Sequence, residues 1–303
     1  MIVEGQLLPD PQLKPAYERI VWLYVYRDFS KSPADLAAER VALRLGMTAY
    51  PQHLLVDPSS LGILADTGRS VASFLGAVER TKAERGEGAA ARIRKAEARA
   101  EALEKSGAVA AARKALLDED IVVRYRAIQI LAEKEPKAVA ADAEALLATP
   151  NDPFRFEVCR ALKKAADGQA ARVLERILAE PKESLNPNVL RIEAGGALGA
   201  CGDALSVKAL APFATTGEWR NGLTGVAVDA IAEIAKREKS ARAAAKEALL
   251  AAYPKPAADP NDVRGTEALA KRVHAALSAV TGKKVYFPAD YDEKARERLV
   301  ESW

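Results

Sequence analysis

Aromatic residues are scarce in this chain, at 6% of 303 residues, although apolar residues of all kinds reach 49%. Alanine and leucine fill the gap. That is the composition of packed helices and not of a β-sandwich. Cysteine is nearly absent. Cys159 and Cys201 stand alone, in neither a Cys-x-x-Cys nor a zinc-ligand spacing, which excludes a disulfide framework. Both fall inside expected helices and read as buried thiols, in keeping with a reducing compartment. An excess of one charge is also missing. The 45 basic and 42 acidic residues leave a net charge of +3, which does not by itself call for nucleic acid or a lipid surface. No apolar run approaches the roughly 18 residues of a membrane span. The opening MIVEGQLLPDPQLK lacks the basic and apolar regions of a signal peptide. With Met1 as the start, the expected compartment is the cytoplasm.

Groups for chemistry are equally few. His53 and His274 are the only histidines. His53 with Asp57 and Ser59 has the residue types of a hydrolytic triad, but a histidine on a short strand beside a proline reads as packing. Ligand-rich clusters for a metal do not occur. Gly195-Gly196-Ala197-Leu198-Gly199 is glycine-rich yet follows no strand. It reads as a place where helices approach closely and not as a phosphate loop. No catalytic, cofactor-binding or metal-binding residue is nominated, and no enzyme activity is expected of the residues present.

Composition shifts near residue 80. Before it, Ile20 to Tyr26 (IVWLYVY) reads as a buried strand bounded by Arg27-Asp28. Pro33 to Leu45 reads as a helix, with Ser32 as N-cap and Gly46 as C-cap. Short strands are expected at 51–56 and 61–65. Apolar residues at Val71, Phe74, Leu75 and Val78 give one face of a helix over Arg69 to Thr81. Residues 83–106 are charge-dense and alanine-rich, and read as a linker followed by an exposed helix from Ala89 to Lys105. A phosphate-binding stripe of Arg92, Arg94, Lys95 and Arg99 is the sharper reading, but acids interleave with it.

From Ala108 a pattern recurs. An apolar residue followed by arginine opens a helix at Val123-Arg124, Phe154-Arg155, Leu190-Arg191, Trp219-Arg220 and Val263-Arg264. The intervals are roughly 30 to 44 residues, the range of two-helix repeats. An acid or amide precedes most of these arginines: Asp120, Asp152, Asn188 and Asp262. Ala127, Val158 and Ala194 follow the first three by three residues, and Leu131, Leu162 and Leu198 by seven. Each helix so keeps one apolar face with a small or compact residue where a neighbour crosses. Leu223, Ala227, Ile231 and Ile234 do this in the fourth unit. Amphipathic partners precede these helices at Val109–Leu117, Ala138–Leu147, Ala170–Leu178, Leu205–Phe213 and Arg242–Tyr253. Turns at Asp118-Glu119-Asp120, Pro150-Asn151-Asp152, Asn186-Pro187-Asn188 and Gly217 separate the pairs. One pair cannot bury its apolar face alone, so pairs stack into a curved solenoid with an extended concave surface.

The repeat resembles the HEAT family, near the subtype whose second helix opens Asp-x-x-Val-Arg-x-x-Ala-x-x-x-Leu. Asp120-Ile121-Val122-Val123-Arg124-Tyr125-Arg126-Ala127-Ile128-Gln129-Ile130-Leu131 matches it throughout. Later units match less fully, and the resemblance covers about residues 107–281. It implies that Asp120, Asp152, Arg124, Arg155 and Arg191 knit adjacent repeats together. The alternative is that these arginines line a ligand surface. Residues 1–82 look like the C-terminal half of a thioredoxin-like domain. The carrying residues are IVWLYVYRD, LAAERVALRLG, Met47 to Pro51, HLLVD and RSVASFLGAVER. The resemblance implies a cis peptide bond before Pro51, which an X-Pro amide accepts readily. The family's Cys-x-x-Cys would precede this segment and is absent; the expectation is a natural chain longer than this one, the alternatives being a remodelled or a degenerate fragment.

The expected protein is thus mainly α, an α-solenoid of about five HEAT-like pairs behind a small α/β segment. Its expected divisions are 1–82, a charged linker and helix 83–106, the solenoid 107–281 and a capping tail 282–303. In that tail, the aromatic segment Val285-Tyr286-Phe287 and a last helix ending at Trp303 fold back over the final pair. The expected function is a scaffold that binds protein partners on the concave face, without cofactor. The alternative is a thiol-disulfide redox protein whose cysteine pair lies upstream of Met1, with the solenoid as docking arm. A third reading is phosphate-backbone binding by a basic ridge.

Overall fold

The computed structural model describes residues 11–13, 32–47, 54–56, 63–66, 71–72, 74–75, 89–181, 187–215 and 222–303. The strand expected at Ile20–Tyr26 and residues Pro51, His53, Asp57 and Ser59 lie outside them, as do Trp219-Arg220 and the turn residues Asn186 and Gly217. The chain forms two compact units, residues 1–107 with 117–126, and residues 108–116 with 127–303.

In the first unit, α1 spans Pro33–Arg44. Ser32 caps it, its hydroxyl accepting from the Asp35 N–H at 3.1 Å. Gly46 closes it at φ 62. The Met47 N–H then reaches back to the Ala42 carbonyl (2.8 Å) and the Gly46 N–H to that of Leu43 (3.1 Å). This six-to-one and five-to-two pair is how a left-handed glycine ends a helix. Strands β1 (Leu54–Val56) and β2 (Ile63–Asp66) pair antiparallel with an irregularity at Leu55/Val56. Val71, Ala72, Phe74 and Leu75 are helical, and Phe74 is buried.

Helix α2 spans Ala89–Ser106. It is more than the exposed helix its charge suggests. Ala96, Ala100 and Leu103, at i, i+4 and i+7, are buried. Its charges are used within the unit, where Arg40 meets Glu101, Arg44 meets Glu97, and Arg99 meets Asp118. The segment set apart as 83–106 falls inside this first unit.

The second unit is a stack of helix pairs. Helices α3 (Val109–Ala115) and α4 (Ile121–Lys134) come first in chain order, with α4 divided between the units at Arg126/Ala127. The second pair is α5 (Pro136–Ala141), α6 (Ala143–Leu147) and α7 (Asp152–Ala165). The third is α8 (Gly168–Ala179) with α9 (Pro187–Cys201). The fourth is α10 (Ala204–Ala214) with α11 (Gly222–Arg237), and the fifth α12 (Arg242–Ala251) with α13 (Val263–Thr281). Helix α14 (Glu293–Ser302) ends the chain. The helix expected over Ala138–Leu147 is broken at Asp142, whose backbone leaves the helical region at φ −107, ψ 12.

Second helices α7, α9, α11 and α13 pack on one another in succession, and first helices α8, α10 and α12 form the layer behind them. The apolar stripe read from the sequence is the core between layers. Ala127, Leu131, Val158, Leu162, Ala194, Leu198, Ala227, Ile231 and Ile234 are all fully buried. Each such leucine or isoleucine stabilises the fold by about 2 kcal/mol relative to an exposed one. The glycine-rich stretch allows close approach at one point above all. A Cβ on Gly199 would lie 3.2 Å from the Cα of Ala230 on α11. Any larger residue there would push α9 off α11.

The tail folds over the last pair. Trp303 is 5% exposed. Its indole N–H donates to the Tyr253 hydroxyl at 3.0 Å. That oxygen lies 3.0 Å from Nδ1 of His274, whose Nε2 is 2.8 Å from the Val285 carbonyl. A carbonyl only accepts, so His274 carries its proton on Nε2 and Tyr253 donates to Nδ1. Phe287 and Trp303 flank the imidazole edge-on. The second histidine is thereby a packing residue in the cap.

Candidate functional site

A stack of helices offers a surface before it offers a pocket, and the layer of second helices is the continuous one. Its outward positions are charged and exposed. They include Arg160 and Lys163 on α7, Asp229 and Glu233 on α11, and Lys271 and Arg272 on α13. Between them α9 presents small or short residues such as Gly196 and Ala200. Both signs of charge occur along the face, and several are paired across repeats. Arg160 donates to Glu193 at 2.7 Å, joining α7 to α9. Arg272 grips Asp229 with two bonds of 3.0 Å, joining α13 to α11. Such exposed pairs contribute little stability, on the order of 0.2 to 1 kcal/mol each. Their larger effect is on which charges a partner would meet.

The residues nominated from the repeat pattern take the following places. Asp120 accepts from the Val122 N–H (2.9 Å) at the start of α4 and from Nη1 of Arg44 (2.6 Å). Arg124 is partly buried, and that burial lowers its pKa. Asp152 and Arg155 are both buried and lie 3.8 Å apart. Nε of Arg155 donates to the Leu147 carbonyl at 2.9 Å. Nε of Arg191 donates to the Leu178 carbonyl at 2.9 Å, and its Nη2 to that of Ala179 at 3.2 Å. These bonds run within one pair, from the second helix to the end of the first. The repeat pattern had set them between neighbouring pairs. Arg191 also reaches the next pair, its guanidinium 5.7 Å from the centre of the Phe213 ring on α10. Helix C-termini leave carbonyls without intrahelical partners, and a buried guanidinium with its positive charge meets both needs.

Other residues carry contacts between pairs, and the sequence reading missed them. Arg237 donates to the Gly199 carbonyl at 2.9 Å and also to that of Gly202, tying α11 to the end of α9. Arg172 meets Asp203 at the start of α10, and Arg176 meets Glu144 on α6 at 2.8 Å. The Ser206 hydroxyl donates to Glu175 at 2.5 Å. A basic residue in the last turn of a helix was the available signal for Arg237. The others sit at surface positions where many charges look alike.

Both cysteines are buried free thiols. Burial pushes the Cys201 thiol up to about 11 and that of Cys159 higher still. These are inert packing thiols and not nucleophiles. Among the described residues no group of three or more His, Cys, Asp or Glu is set to hold a metal. No described helix is long and apolar enough to cross a membrane.

Residues 109–186, from α3 through α8, match the family model described as HEAT repeats. No curated protein and no solved structure matches the chain. The thioredoxin-like resemblance has no counterpart in these comparisons, and most of its carrying residues lie outside the described ones. The match and the stacked pairs agree on the same segment: residues 109–186 are similar to HEAT repeats, and the helix-pair array is an α-solenoid.

Proposed function

We propose that this protein is a non-catalytic scaffold that binds protein partners on the surface made by its second helices, the concave side of the array. The carrying observation is the HEAT match over 109–186 together with the unbroken packing of α7, α9, α11 and α13 into one layer. HEAT repeats suggest protein interaction as the coarse function. The charge pattern of that layer supports a folded or extended protein as the partner. A phosphate backbone needs a run of one sign, whereas this face mixes both signs at Arg160, Glu193, Asp229 and Arg272. Affinity would be gathered over many side chains and not one pocket.

The test is cross-linking of the full chain in extract of its native cell, with link positions mapped by mass spectrometry. Partner links should concentrate on the exposed Lys163, Lys236 and Lys271 of the second helices. Links that fall equally on Lys208 and Lys246 of the first-helix layer would remove the choice of face. Finding no partner at all would remove the scaffold.

A further inference from the structure

The C-terminal cap is held at its centre by one imidazole that donates on one side and accepts on the other. Nε2–H of His274 on α13 donates to the Val285 carbonyl, in the strap that leads into α14. Nδ1 accepts from the hydroxyl of Tyr253, just after α12. The Tyr253 oxygen in turn accepts from the Trp303 indole, so the last pair, the strap and the end of α14 meet through three bonds. The middle bond exists in this sense only while the ring is neutral.

A second proton would fall on Nδ1 and turn that acceptor into a donor. The Tyr253 oxygen would then face two N–H groups, from His274 and Trp303, and its own hydrogen would have no acceptor among the described residues. Tyr253 is 3% exposed, so this hydrogen is also cut off from water. The charges around the ring act in the same direction. Lys271, one turn back on α13, lies over the Phe287 ring that flanks the imidazole. Lys283 of the strap donates to the Trp303 main-chain oxygen at 3.0 Å, and Arg296 of α14 to the Tyr253 carbonyl at 3.3 Å. Glu267 is turned to Lys271 and Glu293 to Arg296, and among the described residues no carboxylate side chain bonds to the imidazole. The two phenols of the cap stay neutral, burial pushing Tyr253 up to about 12 and Tyr291 higher still. A protonated ring would thus join a group of cations.

We infer that the cap is a proton-operated latch: the tail docks on the last pair with His274 neutral, and protonation of that ring releases the strap and α14 from α12 and α13. The released tail binds the proton and the docked tail does not, so docking is complete at alkaline pH and is lost as pH falls. A solvated imidazole takes up its proton near pH 6.5, roughly 1.5 units above pH 5. Between about pH 8 and about pH 5 the docking constant therefore falls about thirty-fold. Release bares Leu299 and Trp303, both buried in the docked cap. The latch concerns the end of the array and stands whether or not the scaffold reading holds.

The experiment measures backbone amide protection factors of the full chain, which are normalised for the intrinsic pH dependence of exchange, at about pH 8 and about pH 5. Protection in α14 should fall about thirty-fold toward acid, while α7 keeps its own. His274→Gln offers one N–H donor for Val285 and one carbonyl oxygen for Tyr253 yet takes up no proton, so protection of α14 in this variant should stay level. No fall in the wild type, or an equal fall in the variant, would overturn the latch. If His274→Gln leaves the tail undocked at both pH values, the ¹⁵N signals of the wild-type His274 ring decide. They should report Nε2–H at alkaline pH and protonation in step with the loss of α14 protection. A ring that gains its second proton while α14 stays protected would overturn the proposal.

Discussion

Replacing Trp303 by alanine should open the last helix pair and leave the middle of the array intact. The side chain is almost wholly buried against His274, with ring centroids 5.0 Å apart, and it holds Tyr253 through its N–H. Truncating a buried tryptophan costs about 3 to 5 kcal/mol, of which roughly 1 is the hydrogen bond. The site is at the end of a stack, where α14 can fray and relieve part of the cavity, so about 3 kcal/mol is expected. Trp303→Phe keeps most of the ring contact and loses only the donor, so its expected cost is about 1 kcal/mol. Repeats interact with their neighbours alone, which localises the damage. The assay is urea unfolding followed by circular dichroism, paired with hydrogen exchange read by mass spectrometry. Exchange should rise in α12 and α13 and stay unchanged in α7. An unchanged midpoint for Trp303→Ala would refute the cap. Equal acceleration of exchange in α7 would refute the locality.

Four further outcomes follow from particular side chains. Asp203 closes a capping box with Ser206, accepting from the N–H groups of Leu205 (2.8 Å) and Ser206 (3.2 Å). Burial pushes its carboxyl up, but those donors and Arg172 outweigh it and hold it below the usual carboxylate value. Asp203→Ala should therefore cost about 1 kcal/mol at neutral pH. That difference should be full above the ordinary carboxylate value and vanish as pH falls through the lowered one, checked by unfolding wild type and variant across the acid range. Ala166 ends α7 at φ 49, the one positive φ at a described non-glycine residue. Ala166→Gly should stabilise by roughly 0.5 to 1 kcal/mol, and a lower urea midpoint would contradict this. Arg155→Ala leaves the Leu147 carbonyl and Asp152 without their buried partner and should cost about 3 kcal/mol; a loss within 0.5 kcal/mol of zero would show that the pair is dispensable. Cys159 and Cys201 should resist a thiol reagent at pH 8 and react at once in denaturant. Rapid labelling of the native chain would contradict their burial.

The repeat array was legible because its signal is periodic and redundant. Leu131, Leu162 and Leu198 recur at one position of their helices, and burial follows from the spacing alone. The break at Asp142 was not legible. Val139, Ala140, Ala143, Leu146 and Leu147 keep a helical apolar rhythm straight through it and are all buried. Periodicity reports which side chains turn inward, not whether the backbone bonds continue between them. The interlocking arginines were half legible. Arg155 and Arg191 stand in a recurring motif, so they could be found, but the motif does not say which carbonyl each one reaches. Arg237 belongs to no motif, and its bonds to Gly199 and Gly202 exist only once α9 and α11 lie against each other. In α2, charge density pointed to solvent, while Ala96, Ala100 and Leu103 are small or widely spaced enough to hide a buried stripe among the ions.

The bond from Arg237 to the end of α9 bears on how such a chain can be shortened or lengthened. A solenoid invites the idea that pairs are interchangeable bricks. Here the last carbonyls of α9 find their donor in the following pair, and Glu175 of α8 is met by Ser206 of the following pair as well. A piece ending at Cys201 would keep every residue of its own pairs and still have bare carbonyls at its newest edge. Deleting α10 and α11 as a block would join two surfaces never shaped for each other. Length changes in this array should be tolerated only when the arginine that closes the preceding helix travels with the seam.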